Sequence, residues 1–203
     1  MKRAILTGFE PFGDYGFNPV QDSTKAYDGK RVGDIEVKGL ILPSAYDAFG
    51  ILSSEMDRLS PDIVLETGFA SRIHRIRLEA YGRNEMHHDT HADSKGRMPD
   101  HEPIVVGGAP YYRTNVDNVV LARSLYERGI PAEVWVDADA FICNALLYLT
   151  AMRIALEGSG VRHAYFHTPA TDDYRGRPGL EGKTTIPRGH LMKAIEVLLC
   201  KMV

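Results

Sequence analysis

The sequence predicts an α/β protein: a parallel or mostly parallel sheet with helices on both faces. Strand-like and helix-like segments alternate along nearly the whole chain, which is the pattern of βαβ units. No internal repeat or low-complexity linker interrupts that alternation. The 203 residues are 44% hydrophobic, enough for one core, so a single domain over residues 1–203 is expected.

Taken in order, "RAILTGF" is an apolar, β-prone run and reads as the first strand. "NPVQDSTKAY" reads as a short helix with Pro19 in its first turn, where a missing N–H is harmless. "IEVKGLIL" is strand-like, a helix-period pattern runs from Tyr46 to about Leu59, and "DIVLETG" is a strand. "RIHRIRLEAYG" alternates Ile73, Arg75 and Arg77 with His74, Ile76 and Leu78, which predicts a strand with one wet face. Between Gly82 and Pro110 lies a polar stretch rich in His, Asp and Gly; a connection that long is usually functional or hides small elements. "VDNVVLARSLYERG" is an amphipathic helix ending at Gly129, followed by the strand "AEVWV". Leu146, Leu149, Ala151, Ile154 and Ala155 recur near helical spacing and Gly158 stops them; "VRHAYFH" is the next strand, and a last helix starts near Arg188.

Composition narrows the function classes. The formal charge is −3 with both signs mixed, so no basic stripe marks a nucleic-acid track. After Lys2 and Arg3 the apolar run Ala4-Ile5-Leu6 is too short for a signal-peptide core or a membrane span. A cytoplasmic protein acting on a small molecule or a peptide is expected. In a reducing compartment the two cysteines, Cys143 and Cys200, are expected to be free, with Cys200 packed on the apolar face of the last helix.

In open α/β sheets ligands gather beyond the carboxyl ends of the strands, which directs attention to the residues just past them. Cys143 falls at or near a helix start, where unpaired N–H groups and the helix dipole favour a thiolate; a buried structural thiol is the plainer alternative. His167 closes a strand before Thr168-Pro169, and its imidazole suits general-base work beside such a thiol. Glu79 is the candidate for orienting that imidazole, although such partners meet only in the fold. "GFEPFG" sets Phe9 and Phe12 on a glycine-bracketed turn, where two large apolar rings either line a pocket or cover a sheet edge; Asn18 is a polar anchor beside them. The cluster His87, His88, Asp89, His91 and Asp93 could ligate a metal, but without a helical H-x-x-x-H frame a solvated loop is the better reading.

Together, "LTGFEPFG" with Asn18-Pro19, "LEAYGRN", "RGIPAEV", "AFICNALLY" and "FHTP" resemble the pyrrolidone-carboxylate peptidases, or pyroglutamyl peptidases I, over nearly the whole chain. The resemblance implies a three-layer α/β/α sandwich with a twisted, mostly parallel sheet and a peptidase that needs no metal or other cofactor. Its substrates would be peptides with an N-terminal pyroglutamyl residue, cleaved by acyl transfer through a thioester. It further implies Cys143 as nucleophile, His167 as base and Glu79 as orienting carboxylate. Phe9, Phe12 and Phe141 would hold the lactam ring with Asn18 beside them, and Phe69 stands in the same region. Family members are commonly dimers or tetramers, which makes a homodimer or homotetramer the expectation. The pattern departs at Ala138-Asp139-Ala140, where A-G-T is usual, at "GFASR", which lacks a glycine, and at "HHDTHAD", which replaces D-A-R-I-P. A catalytically weakened lactam- or peptide-binding homologue and a metal-dependent hydrolase on His87, His88, His91 and Asp89 are the alternative functions.

Overall fold

The computed structural model of the protein describes residues 1–13 and 15–203. Strand β1 (Lys2–Phe9) leads through residues 10–13 toward helix α1 (Pro19–Tyr27), so Phe9 closes the strand and only Phe12 lies on the expected turn; Asn18 caps α1 by accepting from Val20 N. Strands β2 (Arg31–Val32) and β3 (Ile35–Leu42) form a hairpin, and helix α2 (Phe49–Leu59) returns to β4 (Ile63–Phe69). Strand β5 (Ile76–Arg83) precedes the long polar segment, which ends in the short β6 (Tyr111–Arg113). Helix α3 (Asn118–Tyr126) is capped by the Asp117 carboxylate, which accepts from Val119 N and Val120 N. Then come β7 (Ala132–Asp137), helix α4 (Ile142–Glu157) stopped by left-handed Gly158, β8 (Arg162–Thr168), β9 (Ala170–Thr171), β10 (Thr185–Ile186) and helix α5 (Arg188–Lys201).

The main sheet runs β2-β3-β1-β4-β8-β5-β6, with β7 on β5. Pairs β1–β3, β1–β4, β4–β8 and β5–β7 are parallel, while β5 meets β8 antiparallel. Period-two alternation sorts the side chains onto two faces. Ala4, Leu6, Ile63, Leu65, Ile76, Leu78, Ala164 and Phe166 pack with α1, α3 and α5. Ile5, Val64 and Tyr165 pack with α2 and α4. Three layers result, as the sequence predicts. Among the buried strand residues the first face is apolar apart from Thr67 and Thr168, whereas the face toward α4 carries Glu66, Glu79, His163 and His167, all buried. The buried titratable side chains of the strands therefore collect on one side of the sheet.

Four expectations are corrected. The strand expected from Arg72 begins only at Ile76, because Arg72–Arg75 form turns before Ile76 N reaches Pro131 O. The helix expected from Tyr46 begins at Phe49, since the residues before it make tight turns such as Ala48 N to Ala45 O. Cys200 is exposed, one position off the buried stripe of Leu198 and Leu199. The His-rich segment is irregular but tied down: Met86 and Glu102 bridge, Asn84 exchanges two hydrogen bonds with the Val105 backbone, and Asp93 accepts from Tyr46, Lys95 and Arg97 N–H groups.

Candidate active site

A cleft of about 940 Å³ opens at the carboxyl ends of β1, β4, β7 and β8, bounded by the start of α4 and the His-rich segment. Cys143, His167 and Glu79 all line it, and so do Phe9, Phe12, Asn18, Phe69 and Phe141. The structure thus gathers in one cleft the eight residues that the family resemblance singled out.

His167 and Glu79 meet because β8 and β5 are antiparallel. His167 stands opposite Arg77 in the ladder, so Glu79 is its diagonal neighbour on the same face, within reach of a long side chain. His167 Nδ1 lies 2.8 Å from Glu79 Oε1, with His167 8% and Glu79 1% exposed. Burial holds the Glu79 carboxyl above its usual range, and its bond to His167 only partly offsets this; Oε2 has no partner among the described residues. Burial alone would lower His167, but the Cys143 charge and hydrogen bond, followed by those of Glu79, raise it to about 10. The imidazole is therefore held protonated between a sulfur and a carboxylate.

Cys143 is the second residue of α4, half-buried, just after Phe141, which occupies the N-cap position in an extended conformation. Phe141 makes no side-chain cap bond, so first-turn N–H groups of α4 are left for another acceptor. Asn144 fixes this turn to β5: its Oδ1 accepts from Arg83 N, and its Nδ2 donates to Arg83 O and Glu85 O, each at 2.8 Å. Seven residues beyond Cys143, the same helix face presents Thr150 to Glu66, which also pairs with His163 at 2.9 Å. A second buried Glu–His pair thus lies under the first, deeper in the sheet.

Aromatic rings form the other wall. Phe12 stands between Phe69 and Phe141, with ring centroids 6.1 and 6.5 Å away. Phe69 is backed by Tyr15 and Phe17, and Phe141 by Tyr46 and His88. Phe9 is buried beneath them. Asn18 has structural duties as well, since its Nδ2 donates to Glu10 O while its Oδ1 caps α1. The metal-ligand set that the sequence offered as the lesser reading, His87, His88, Asp89, His91 and Asp93, does not come together as one cluster. Asp93 is spent on backbone N–H groups, and His88 Nδ1 accepts from Thr90 N and His91 N. His88 therefore carries its proton on Nε2 when neutral, and burial followed by the nearby His91 keeps it neutral to lower pH than usual.

The sequence model described as pyroglutamyl peptidase matches residues 2–196. The chain belongs to the pyroglutamyl peptidase family. It is 31% identical to the pyrrolidone-carboxylate peptidase of Pyrococcus furiosus over 169 residues, 82% of this chain and 80% of that protein. To the one from Cupriavidus taiwanensis it is 32% identical, over 92% of this chain and 88% of the relative. The solved pyrrolidone carboxyl peptidase of Thermococcus litoralis superposes with a TM-score of 0.93 at 28% identity, covering 100% of this chain and 93% of that one. The pyroglutamyl peptidase I of Bacillus amyloliquefaciens gives 0.91 at 26%, covering 100% and 97%.

Two features of this family member escaped sequence reasoning. Tyr165 lies under the site, its ring 5.1 Å from that of His167, its buried hydroxyl held from ionising first by burial and then by the charge of Cys143. Gly68 faces His167 across the β4–β8 ladder; a Cβ there would fall 2.7 Å from His167 Cδ2 and 2.8 Å from Nε2. Only glycine leaves the imidazole its place. The departure at Asp139 also acquires a cause: its φ is +62°, the left-handed region in which glycine is the unstrained choice. Its carboxylate is exposed, while its N–H donates to Asp137 Oδ1 and its carbonyl accepts from Arg83 Nε.

Proposed function

We propose that residues 1–203 form one domain that removes N-terminal pyroglutamate from peptides as a cysteine exopeptidase, with Cys143, His167 and Glu79 as the catalytic set. The observation that carries this reading is the buried Glu79–His167 pair beside a half-buried cysteine on an uncapped helix start. In the reaction, the Cys143 sulfur adds to the carbonyl carbon attached to the lactam ring. The carbonyl oxygen takes the negative charge and accepts from first-turn N–H groups of α4. The C–N bond then breaks as His167 gives its proton to the departing amine, leaving a thioester on Cys143. Water attacks the thioester, His167 takes a proton from it, and the thiolate leaves, releasing free pyroglutamate. Glu79 keeps the imidazole oriented and its charge balanced throughout.

Selectivity follows from the Phe12, Phe69 and Phe141 slot, with Phe9 below and Asn18 at its edge. A lactam ring is uncharged, whereas a free N-terminal ammonium ion would lose several kcal/mol of hydration, in order of magnitude, on entering such an apolar wall. Self-association as a homodimer or homotetramer is part of the reading. It is supported by exposed Trp135 and Val136 on β7 and Val119 and Val120 on α3, and light scattering against the 22.6 kDa chain mass checks it. The main test is hydrolysis of a pyroglutamyl fluorogenic amide. The unmodified protein and Cys200→Ser are expected to cleave it, and Cys143→Ser to lose the activity while keeping its melting temperature. Equal cleavage of an unblocked aminoacyl amide, or equal losses in both cysteine variants, would overturn the assignment.

A further inference from the structure

We infer that His87, Asp100 and His101 form a binding site for a divalent first-row transition ion, zinc foremost, on the outer side of the His-rich wall. Only His87 of these three stood out in the sequence; the fold brings the other two to it. One potential ligand atom from each lies within 4.8 Å of the others. The two imidazoles are stacked, with centroids 3.8 Å apart and planes 13° apart.

The hydrogen bonds around the cluster say which nitrogens keep a lone pair in the neutral rings. His87 Nε2 lies 2.9 Å from Asp89 Oδ1, and His101 Nδ1 pairs with Glu85 Oε1. A carboxylate accepts, so in the neutral rings those nitrogens carry the protons, and the lone pairs fall on His87 Nδ1 and His101 Nε2. His87 Nδ1 is buried without a hydrogen-bond partner, and Asp100 Oδ1 stands 3.5 Å from it. Two electron-pair donors facing each other at that distance repel unless a proton or a metal ion lies between them. Two imidazoles and a carboxylate are the donor set of three-ligand zinc sites that keep a position for water. A carboxylate on the far nitrogen of each histidine is the outer arrangement that fixes tautomer and ring direction at such sites.

The ion would not touch the reacting atoms. His87 N donates to Ala140 O at 2.9 Å, three residues before Cys143, so an ion held here braces the wall against the turn that leads into α4. The site does not depend on the peptidase reading.

The experiment uses untagged full-length protein carrying Cys143→Ser and Cys200→Ser, so that no thiol competes for metal. Equilibrium dialysis against zinc followed by metal analysis is expected to give about one equivalent per chain, with a raised melting temperature. Glu85→Gln should weaken binding roughly 10- to 100-fold, as loss of such an outer partner does. His101→Ala and Asp100→Asn should abolish stoichiometric loading while leaving the metal-free melting temperature near the parent value, since both side chains are exposed. Cobalt bound in place of zinc should show nitrogen and oxygen ligation. Substoichiometric zinc in the parent, or full retention in both His101→Ala and Asp100→Asn, would overturn the site.

Discussion

At Glu79, burial and hydrogen bonding pull in opposite directions, and that conflict sets its role. The carboxyl resists ionisation because it is desolvated, and pairing with His167 is what keeps it charged. Glu79→Gln preserves shape but removes the charge that matches the imidazolium. It is expected to lower kcat by roughly two to four orders of magnitude with a much smaller change in KM. Steady-state kinetics on a pyroglutamyl amide decide this, and a loss confined to KM would reassign Glu79 to substrate binding. Asp139 poses a different question, because it holds a left-handed backbone without being glycine. Its carboxylate is exposed and is the smallest of the influences on Glu79, so solvent screens it from the site. Asp139→Gly should therefore hold or slightly raise the melting temperature and change kcat/KM by no more than about threefold, a shift of well under 1.36 kcal/mol. A gain near tenfold would mean that the carboxylate opposes the oxyanion.

Between elements, the spacing of β5 and α4 matters most, because β5 carries Glu79 and α4 carries Cys143. Gly82 sets that spacing: a Cβ on it would lie 2.5 Å from Tyr148 N and 2.6 Å from Tyr148 Cα, both backbone atoms that cannot swing aside. Gly82→Ala is expected to cost about 1–3 kcal/mol of stability, as overpacking does. It should also reduce kcat, because the strand and helix must move apart. Thermal unfolding and kinetics on the same preparation test both effects, and an unchanged melting temperature would show that β5 and α4 slide freely. The Asn144 clamp to Arg83 and Glu85 belongs to the same contact and ties the cysteine turn to the start of the His-rich wall.

Across the whole molecule, the sheet face toward α4 buries two Glu–His pairs, and through the His167–Glu79 pair stability and titration are linked. His167 is raised from 6.5 to about 10 in the folded chain. The stabilisation from its protonated form is complete below about pH 6.5, declines above that value, and is gone once pH passes about 10. Ring resonances of His167 should therefore still report imidazolium at pH 8. In Cys143→Ala, which removes the largest influence raising it, the midpoint should fall. A midpoint near 6.5 in the unmodified protein would refute the buried ion pair.

The order of the longer strands and helices, the placing of helices on both sheet faces and the helix start at Cys143 were legible in the chain, because hydrophobic period, β-branching and glycine stops are local properties, whereas the short strands β2, β6, β9 and β10 carry too few residues for a period to show. The motifs around Phe9, Glu79, Cys143 and His167 were legible as a family resemblance. The antiparallel meeting of β5 and β8 was not: strand direction depends on the path between strands, and that register brings Glu79 within 2.8 Å of His167. Nor could spacing reveal that Gly68 makes room for an imidazole, that Tyr165 lies beneath the thiol, or that His87 finds Asp100 and His101 rather than His91 and Asp93. Each is a contact between residues distant in the chain or across an irregular loop, where periodicity carries no information. The residue types came from the sequence, and their distances were decided by the tertiary structure, because strand direction and packing determine which side chains meet.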